Sequence, residues 1–530
     1  MEKGYLSLVL HAHLPFVRHP EHERFLEERW FYEALTETYI PLIKVFNSLL
    51  KEGVDFRLTL SLTPTLLSMM SDPLLQSRYE KHLERLIDLS ACEIRRTAAE
   101  GIFGPLAQKY HELFKESRAI FCEDYGKDLT QAFKFLRDSG HLELITCAAT
   151  HAYLPLMEAE PRMVRAQIRM AAQTHERILG SRPRGIWLPE CGYFPGLDEI
   201  LQEEGLKFFM LDRHGILFGN PRPKYGAYRP VYCPSGVAAF ARDMESSKSV
   251  WSADQGYPGD PDYREFYHDI GYDLDPEYLR PFLNGDGSRV STGIKYFRIT
   301  EKGPRKEPYN FEAARARAEE DAGHFVFNQC KQIETLESLM GEKPLILSAY
   351  DAELFGHWWF EGPAWLQSLF RKIQFDQNIF KAVTPPEYLK LYPRHQTLQP
   401  TMSSWGYKGY SEIWLNGAND WIYRHLRMAG ERMADAADRH PSADGLVLRA
   451  LNQMARELLL LEASDWAFIL KTGTHTAYAG RTLREHLERF TTLWEQVQKN
   501  FIDRKSLERI ESTDNIFPDI DYKIYSRINH

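Results

Sequence analysis

Cysteine is scarce in this chain. Six occur in 530 residues, and Cys92, Cys122, Cys147, Cys191, Cys233 and Cys330 stand far apart with no C-x-x-C pair. Neither a disulfide framework nor a thiolate zinc site is suggested, and reduced thiols in the cytoplasm are the simplest account. Positive charge is not in surplus either. A formal charge of −9 argues against a nucleic-acid or anionic-membrane partner, which would leave a basic stripe as its electrostatic footprint. No run of ~18 uninterrupted apolar residues occurs, so no membrane span is expected. Lys3 before Leu6 to Leu10 has the look of a signal peptide, but His11 and His13 interrupt the run too early and no small-residue cleavage site follows. A G-x-G-x-x-G after the first strand, internal repeats and low-complexity segments are also missing.

What is abundant is aromatic. Phe, Trp and Tyr make up 13% of the residues, and eight of the eleven tryptophans (Trp187, Trp251, Trp358, Trp359, Trp405, Trp414, Trp421, Trp466) fall in polar stretches. Indoles beside polar groups suit stacking on sugar faces, although each alone is as readily a core residue. The length permits two or three domains with at least one large core.

Read in order, the chain alternates strand and helix patterns. Leu6 to Leu10 ends in His11-Ala-His13, which puts two imidazoles on one side of a strand at period-two spacing. A long helical pattern from about 23 to 50 leads to a second strand, 55–62, and 73–138 reads as a helical excursion. Further strands at 142–146, 185–188 and 207–211 end near His151, in Pro189-Glu190-Cys191 and in Asp212-Arg213-His214. Another, 345–347, delivers Asp351, Glu353 and His357; taken alone, this stretch could equally be a surface loop whose acids cap the next helix. Polar residues at the carboxyl ends of strands separated by helices predict an α/β fold with a parallel barrel or a barrel-like variant. Residues 215–291, rich in Pro, Gly and Asp, read as an inserted lid within a catalytic domain spanning 1–400. Residues 401–530, with helical runs at 420–438, 446–463 and 480–500, read as a C-terminal helical domain on the cleft.

Two carboxylates after strands, Glu190 and Asp351, in an aromatic setting are what glycoside chemistry needs. Beyond this, His11-Ala-His-Leu-Pro15, Cys147-Ala-Ala-Thr-His151, Trp187-Leu-Pro-Glu190-Cys-Gly-Tyr193, Tyr350-Asp351-Ala-Glu-Leu-Phe-Gly-His-Trp-Trp359, Trp405-Gly-Tyr407, Asn419-Asp-Trp421 and Ala463-Ser-Asp465-Trp466 together resemble glycoside hydrolase family 57, in its α-glucan branching enzyme and AmyC-like branch. The resemblance implies a (β/α)7 pseudo-TIM barrel and a retaining mechanism with no metal or organic cofactor. It makes Glu190 the nucleophile and Asp351 the general acid/base. It also implies an α-glucan substrate, a monomer, and substrate contacts from His11, His13, His151, Trp187, Arg264, His357, Trp358, Trp405, Asp465 and Trp466. For the chemistry, Asp351 must hold a proton near neutrality while Glu190 stays ionised.

Branching is the expected outcome, with α-amylase-like hydrolysis or 4-α-glucanotransfer as alternatives. A remote one is a metal-dependent, amidohydrolase-like enzyme built on His11-x-His13. Two departures bear on branching. Branching members carry a lid tyrosine, but residues 233–252 contain none and Tyr232 is only a candidate. Thr474 stands where many relatives have a glutamine that contacts glucan.

Overall fold

The computed structural model describes residues 2–252, 256–283, 287–300 and 306–527. Among them nine strands form one sheet: β1 (Gly4–Ala12), β2 (Leu58–Leu62), β3 (Leu142–Cys147), β4 (Gly185–Trp187), β5 (Phe208–Leu211), β6 (Val231–Tyr232), β7 (Ala238–Ala241), β8 (Leu345–Asp351) and β9 (Phe380–Ala382). Their order is β6-β7-β5-β4-β3-β2-β1-β8, with β9 also on β1. Every pairing is parallel except β6 with β7. Seven strands, from β7 across to β8, thus run in one direction and curl into the barrel. Its two ends meet where the Asp243 N–H donates to the Leu347 carbonyl (2.7 Å) and the Tyr350 hydroxyl to the Ser246 carbonyl (2.9 Å).

Alternation along the strands produces two separate cores. Leu6, Leu8, Leu10 and Ala12 point outward into the large cluster shared with the surrounding helices. Tyr5 and Val9 point inward, where they meet Ile145, Cys147, Trp187, Met210, Phe240, Leu347 and Ala349. Strands buried on both faces read as continuous apolar runs, as parallel sheets require. His11 follows Val9 on the inward row, and Asp351 follows Ala349. These two residues are direct neighbours in the register of β1 with β8, and His11 is also opposite Ser61 of β2. The barrel interior is therefore mostly apolar, with Ser7 and Thr59 as small polar exceptions, up to the last inward layer, which carries His11 and Asp351.

The stretch 215–291 differs from a single insertion. It contains β7, a central barrel strand, followed by the helix Met244–Trp251. Ala238–Ala241 is too short and too alanine-rich to stand out from a Pro- and Gly-rich background. Tyr232, the candidate lid residue, lies in β6 opposite Ala238, level with the amino-terminal ends of the barrel strands, and its hydroxyl donates to the Pro393 carbonyl (3.3 Å). It is at the wrong end of the barrel for a lid.

The C-terminal region has five helices, Trp421–Arg439, Gly445–Leu461, Ser464–Thr472, Thr476–Gln498 and Arg504–Thr513. The run expected to continue to 463 stops at Leu461, because Ala463 is extended (φ −57°, ψ 126°). That break feeds Ser464 and Asp465 toward the barrel mouth. Val17, Tyr153, Trp414, Leu461, Ala463, Trp466 and Tyr478 form the apolar joint between the two parts. No helix of the described residues is long and apolar enough to cross a membrane.

Candidate active site

Four aromatic rings form the floor. His11 lies stacked on Trp187 (5.0 Å between centroids), and His13 is stacked on His151 (3.8 Å). His11 Nε2 and His151 Nε2 are 3.0 Å apart, so one donates and the other accepts. Each imidazole is held at its other nitrogen: His11 by the Ser61 hydroxyl (3.1 Å), His151 by the Ser464 hydroxyl (2.9 Å) and His13 by the Thr63 hydroxyl (3.2 Å). His13 Nε2 meets both Asp465 carboxylate oxygens (2.9 and 3.1 Å). Burial keeps His11 and His151 well below the ordinary histidine range and hence neutral. His13 is also opposed by burial, but the Asp465 charge and hydrogen bond outweigh it and raise its proton affinity.

Glu190 sits on the short turn after β4 with a left-handed backbone (φ 61°), and Cys191 follows at φ 51°. Two successive non-glycine residues in this region are strained, and such strain persists only where the surroundings over-determine it. Here the Cys191 and Gly192 N–H groups donate back to Leu188 and Pro189, and the Trp405 N–H donates to the Glu190 carbonyl (2.9 Å). The Trp405 indole also donates to Glu190 Oε2 (2.6 Å), while His151 Nδ1 is 4.0 Å from Oε1. Glu190 is thereby aimed into the mouth of the barrel.

Burial raises both carboxyls. Glu190 is pushed up to about 8, mainly by desolvation, with the Trp405 hydrogen bond opposing and the Asp351 charge adding. Asp351 is pushed up to about 6 by desolvation, opposed by Arg242, His13 and a hydrogen bond with Trp251. The expectation for Asp351 is met in direction. That for Glu190 is not: without substrate it binds a proton more tightly than Asp351, because Arg242 and Trp251 favour the charged form of Asp351. The two groups feel each other's charge, so they titrate as a pair that keeps one proton between about pH 6 and 8.

Not every expected substrate contact faces this space. Trp187 and Trp466 are fully buried: Trp187 supports His11 from beneath, and the Trp466 indole donates to the Leu460 carbonyl (3.1 Å). Arg264 is buried too. Its guanidinium donates to the Gly293 carbonyl (3.0 Å) and the Tyr110 hydroxyl (3.3 Å) and covers the Phe360 ring (3.9 Å). No hydrogen bond or ion pair joins it to Glu190, Asp351 or the three histidines among the described residues. His357 is held by Glu37 (2.7 Å), and Trp358, more than half exposed, lies parallel to Phe266 (5.0 Å) at the rim. Glu353 is structural, accepting from the His13 N–H (3.0 Å) and the Tyr39 hydroxyl. Thr474 is exposed in the loop beyond the helix Ser464–Thr472.

Sequence reasoning missed Arg242, which donates to Asp212 (2.8 Å) and lies over Trp405 (5.1 Å) beside Asp351. Recognising β7 as a strand would have placed it at a strand's carboxyl end. It also missed the role of Ser464, although its motif was in view, and of Trp251, whose indole is 61% exposed and yet bonded to Asp351. Ligand-capable atoms lie within 4.8 Å of one another in His13–His151–Asp465 and in His11–Cys147–His151, the features nearest to the metal-hydrolase alternative. Both ring nitrogens of His11, half of the proposed His-x-His pair, are turned to Ser61 and His151 instead.

A pair of buried carboxyls in a polar, aromatic-walled setting at the carboxyl-terminal mouth of a seven-stranded parallel barrel is the arrangement of a glycoside-processing enzyme. Residues 7–403 match glycosyl hydrolase family 57, and residues 425–525 match the 1,4-alpha-glucan branching enzyme C-terminal family. The chain belongs to glycosyl hydrolase family 57. A 1,4-alpha-glucan branching enzyme of Thermococcus kodakarensis is 35% identical over an alignment covering 97% of this chain and 77% of that protein. Among solved structures, the alpha-amylase AmyC of Thermotoga maritima superposes with a TM-score of 0.93 at 43% identity, covering 99% of both chains. The branching enzyme of Pyrococcus horikoshii does so with 0.88 at 33%, covering 99% of this chain and 97% of its own. Membership of this family leaves no place for the metal-dependent, amidohydrolase-like alternative.

Proposed function

We propose that this protein is a 1,4-α-glucan branching enzyme that cuts an α-1,4-glucan and joins the released segment to a 6-hydroxyl through a glycosyl-enzyme intermediate, with Glu190 as nucleophile and Asp351 as general acid/base. The observation that supports the residue assignment is the placement of these two buried carboxyls beyond strands β4 and β8 at one barrel mouth, with the Trp405 indole donating to Glu190 Oε2 (2.6 Å) and Asp351 beside His11 in the strand register. In the first half-reaction Asp351 donates its proton to the glycosidic oxygen as the C–O bond breaks, and a Glu190 oxygen bonds to the anomeric carbon. That requires the proton to sit on Asp351. An incoming glycosidic oxygen accepts a hydrogen bond only from protonated Asp351, which biases the pair toward that arrangement. In the second half-reaction the acceptor hydroxyl gives its proton to Asp351 and attacks the anomeric carbon, releasing Glu190.

His11, His13 and His151 line the donor-sugar position, and Trp405, Trp358 and Trp251 offer exposed or partly exposed aromatic faces. Asp465 acts by holding His13. Six free thiols support a cytoplasmic setting.

Hydrolysis is the second reading, favoured by two observations. No tyrosine occupies 233–252, where the chain instead forms the compact helix Met244–Trp251, and the likeness to the amylase AmyC is strong. Branching and hydrolysis share the intermediate and differ in whether a sugar hydroxyl or water reaches it. Incubation with amylose, counting new α-1,6 linkages against new reducing ends, separates them: branching yields linkages without a matching rise in ends, and ends without linkages would replace it by hydrolysis. Glu190→Gln and Asp351→Asn are each expected to lower turnover by about 10³-fold. Unchanged turnover in either would overturn the assignment of that residue.

A further inference from the structure

The C-terminal region reaches the site through Asp465 and Ser464, but a third side chain of the same break, Glu462, lies behind them and touches no substrate position. Its Oε2 accepts from the Gln167 amide (2.6 Å). The same amide nitrogen donates to the Thr150 hydroxyl (2.8 Å), and its oxygen accepts from the Thr150 N–H (3.0 Å). The Thr150 hydroxyl in turn donates to the Leu459 carbonyl. All of these groups are buried, and each hydrogen bond has one direction only. Gln167 must present its oxygen to Thr150 N–H, which leaves its NH2 to bridge the Thr150 hydroxyl and Glu462.

The next residue along is His151, whose backbone is left-handed at φ 60° although it is not glycine. Such a conformation is strained and persists only with fixed neighbours on both sides. On one side the Gln167 amide fixes Thr150. On the other the Ser464 N–H donates to the His151 carbonyl (3.2 Å), and Ala152 and Ala463 form an antiparallel bridge. Glu462 therefore terminates both supports, being bonded to Gln167 and covalently one residue from Ala463. We propose that Glu462 and Gln167 form a positioning clip by which the C-terminal domain holds His151 in contact with His11 and Glu190.

No cation contacts Glu462 among the described residues, and burial raises it to about 8, so it serves as a neutral carboxylic acid. Its other oxygen and the Tyr525 hydroxyl are both buried without a partner, and Tyr525 feels the Glu462 charge. A glutamine can replace such an acid; a shorter or apolar side chain cannot.

This inference rests on Glu190 being the nucleophile, and its test is separable from the test of that assignment because Glu190 is left intact. In the full chain acting on amylose, Glu462→Gln is expected to keep kcat within about twofold of the parent, with a superimposable pH profile. Glu462→Asp, which keeps the acid but withdraws it from Gln167, and Gln167→Leu are each expected to lower kcat about tenfold or more, with KM moved less than about threefold, since misplacement of a group by a fraction of an ångström affects the reacting geometry before it affects binding. The Asp variant keeps the test open should the Leu variant fail to fold. The clip is refuted if Glu462→Asp retains full kcat, or if Glu462→Gln is as impaired as Glu462→Asp. A loss confined to KM or to the folded fraction would also refute it, because that is the mark of a merely structural contact.

Discussion

At Glu190 the protein opposes two tendencies. Desolvation favours the neutral acid, while the Trp405 indole favours the carboxylate it hydrogen-bonds. Catalysis needs one proton on the pair, so both limbs of the pH profile follow from the two raised affinities. Turnover is expected to rise through about pH 6 as the pair loses its first proton and to fall through about pH 8 as it loses the second, a bell measurable in kcat/KM. Trp405→Phe removes a hydrogen bond to the charged form of Glu190, the carboxyl with the higher affinity, so the alkaline limb is expected to move upward by about one pH unit, widening the bell. An unmoved alkaline limb would mean that the indole does not stabilise the carboxylate.

The chemistry of single residues was legible in the sequence where it was carried by strand ends. Asp351, Glu190, His11, His13 and His151 all lie at or just beyond strand ends, as the strand pattern predicts. Burial was not legible in the same way. Trp187, Trp466 and Arg264 look alike in sequence whether they face a sugar or a packed neighbour, and here they face neighbours. Which of two acids holds a proton more tightly depends on Arg242, a cation more than a hundred residues from Asp351 along the chain.

Among the elements, the stretch Arg29–Lys51 shows what periodicity conceals. It reads as one helix, but Leu35–Tyr39 is a wider π turn between two α-helical segments. The extra residue in the turn rotates the faces that follow, so that Glu37 meets His357 and Tyr39 meets Glu353. Against it lies Gly356, with φ at +116°, where a Cβ would fall 1.8 Å from the Glu37 carbonyl oxygen. Only glycine combines that backbone with that approach. Gly356→Ala is expected to destabilise the fold by at least about 2 kcal/mol, seen as a lowered Tm, and to loosen the loop that carries Glu353. A Tm equal to the parent's would show that the π turn yields at no cost. The two segments hardest to see, β7 in the barrel and the break at Glu462 and Ala463 in the helical domain, are also short; in both, function depends on where an element stops.

For the molecule as a whole, the joint between barrel and helical domain is mostly apolar but buries the acid Glu462. Glu462 is at about 8 in the folded chain and near the usual carboxylate value when unfolded. Between those values the folded state binds more protons, so this group's contribution to stability declines as pH rises from about 4.5 to 8. Glu462→Gln has no such dependence. The difference in Tm, variant minus parent, is expected to grow across that interval and then level off, and a constant difference would show that the acid ionises freely in the fold.

His13 is held by Asp465, 452 residues further along the chain. During synthesis the barrel strands leave the ribosome long before that partner exists, so the nascent barrel carries both carboxyls but lacks the support for two of its three histidines. Competence toward glucan is thus deferred until the segment carrying Ser464 and Asp465 has emerged and docked, and a truncated translation product ending before Ser464 would bring the nucleophile into the cell without its supporting wall.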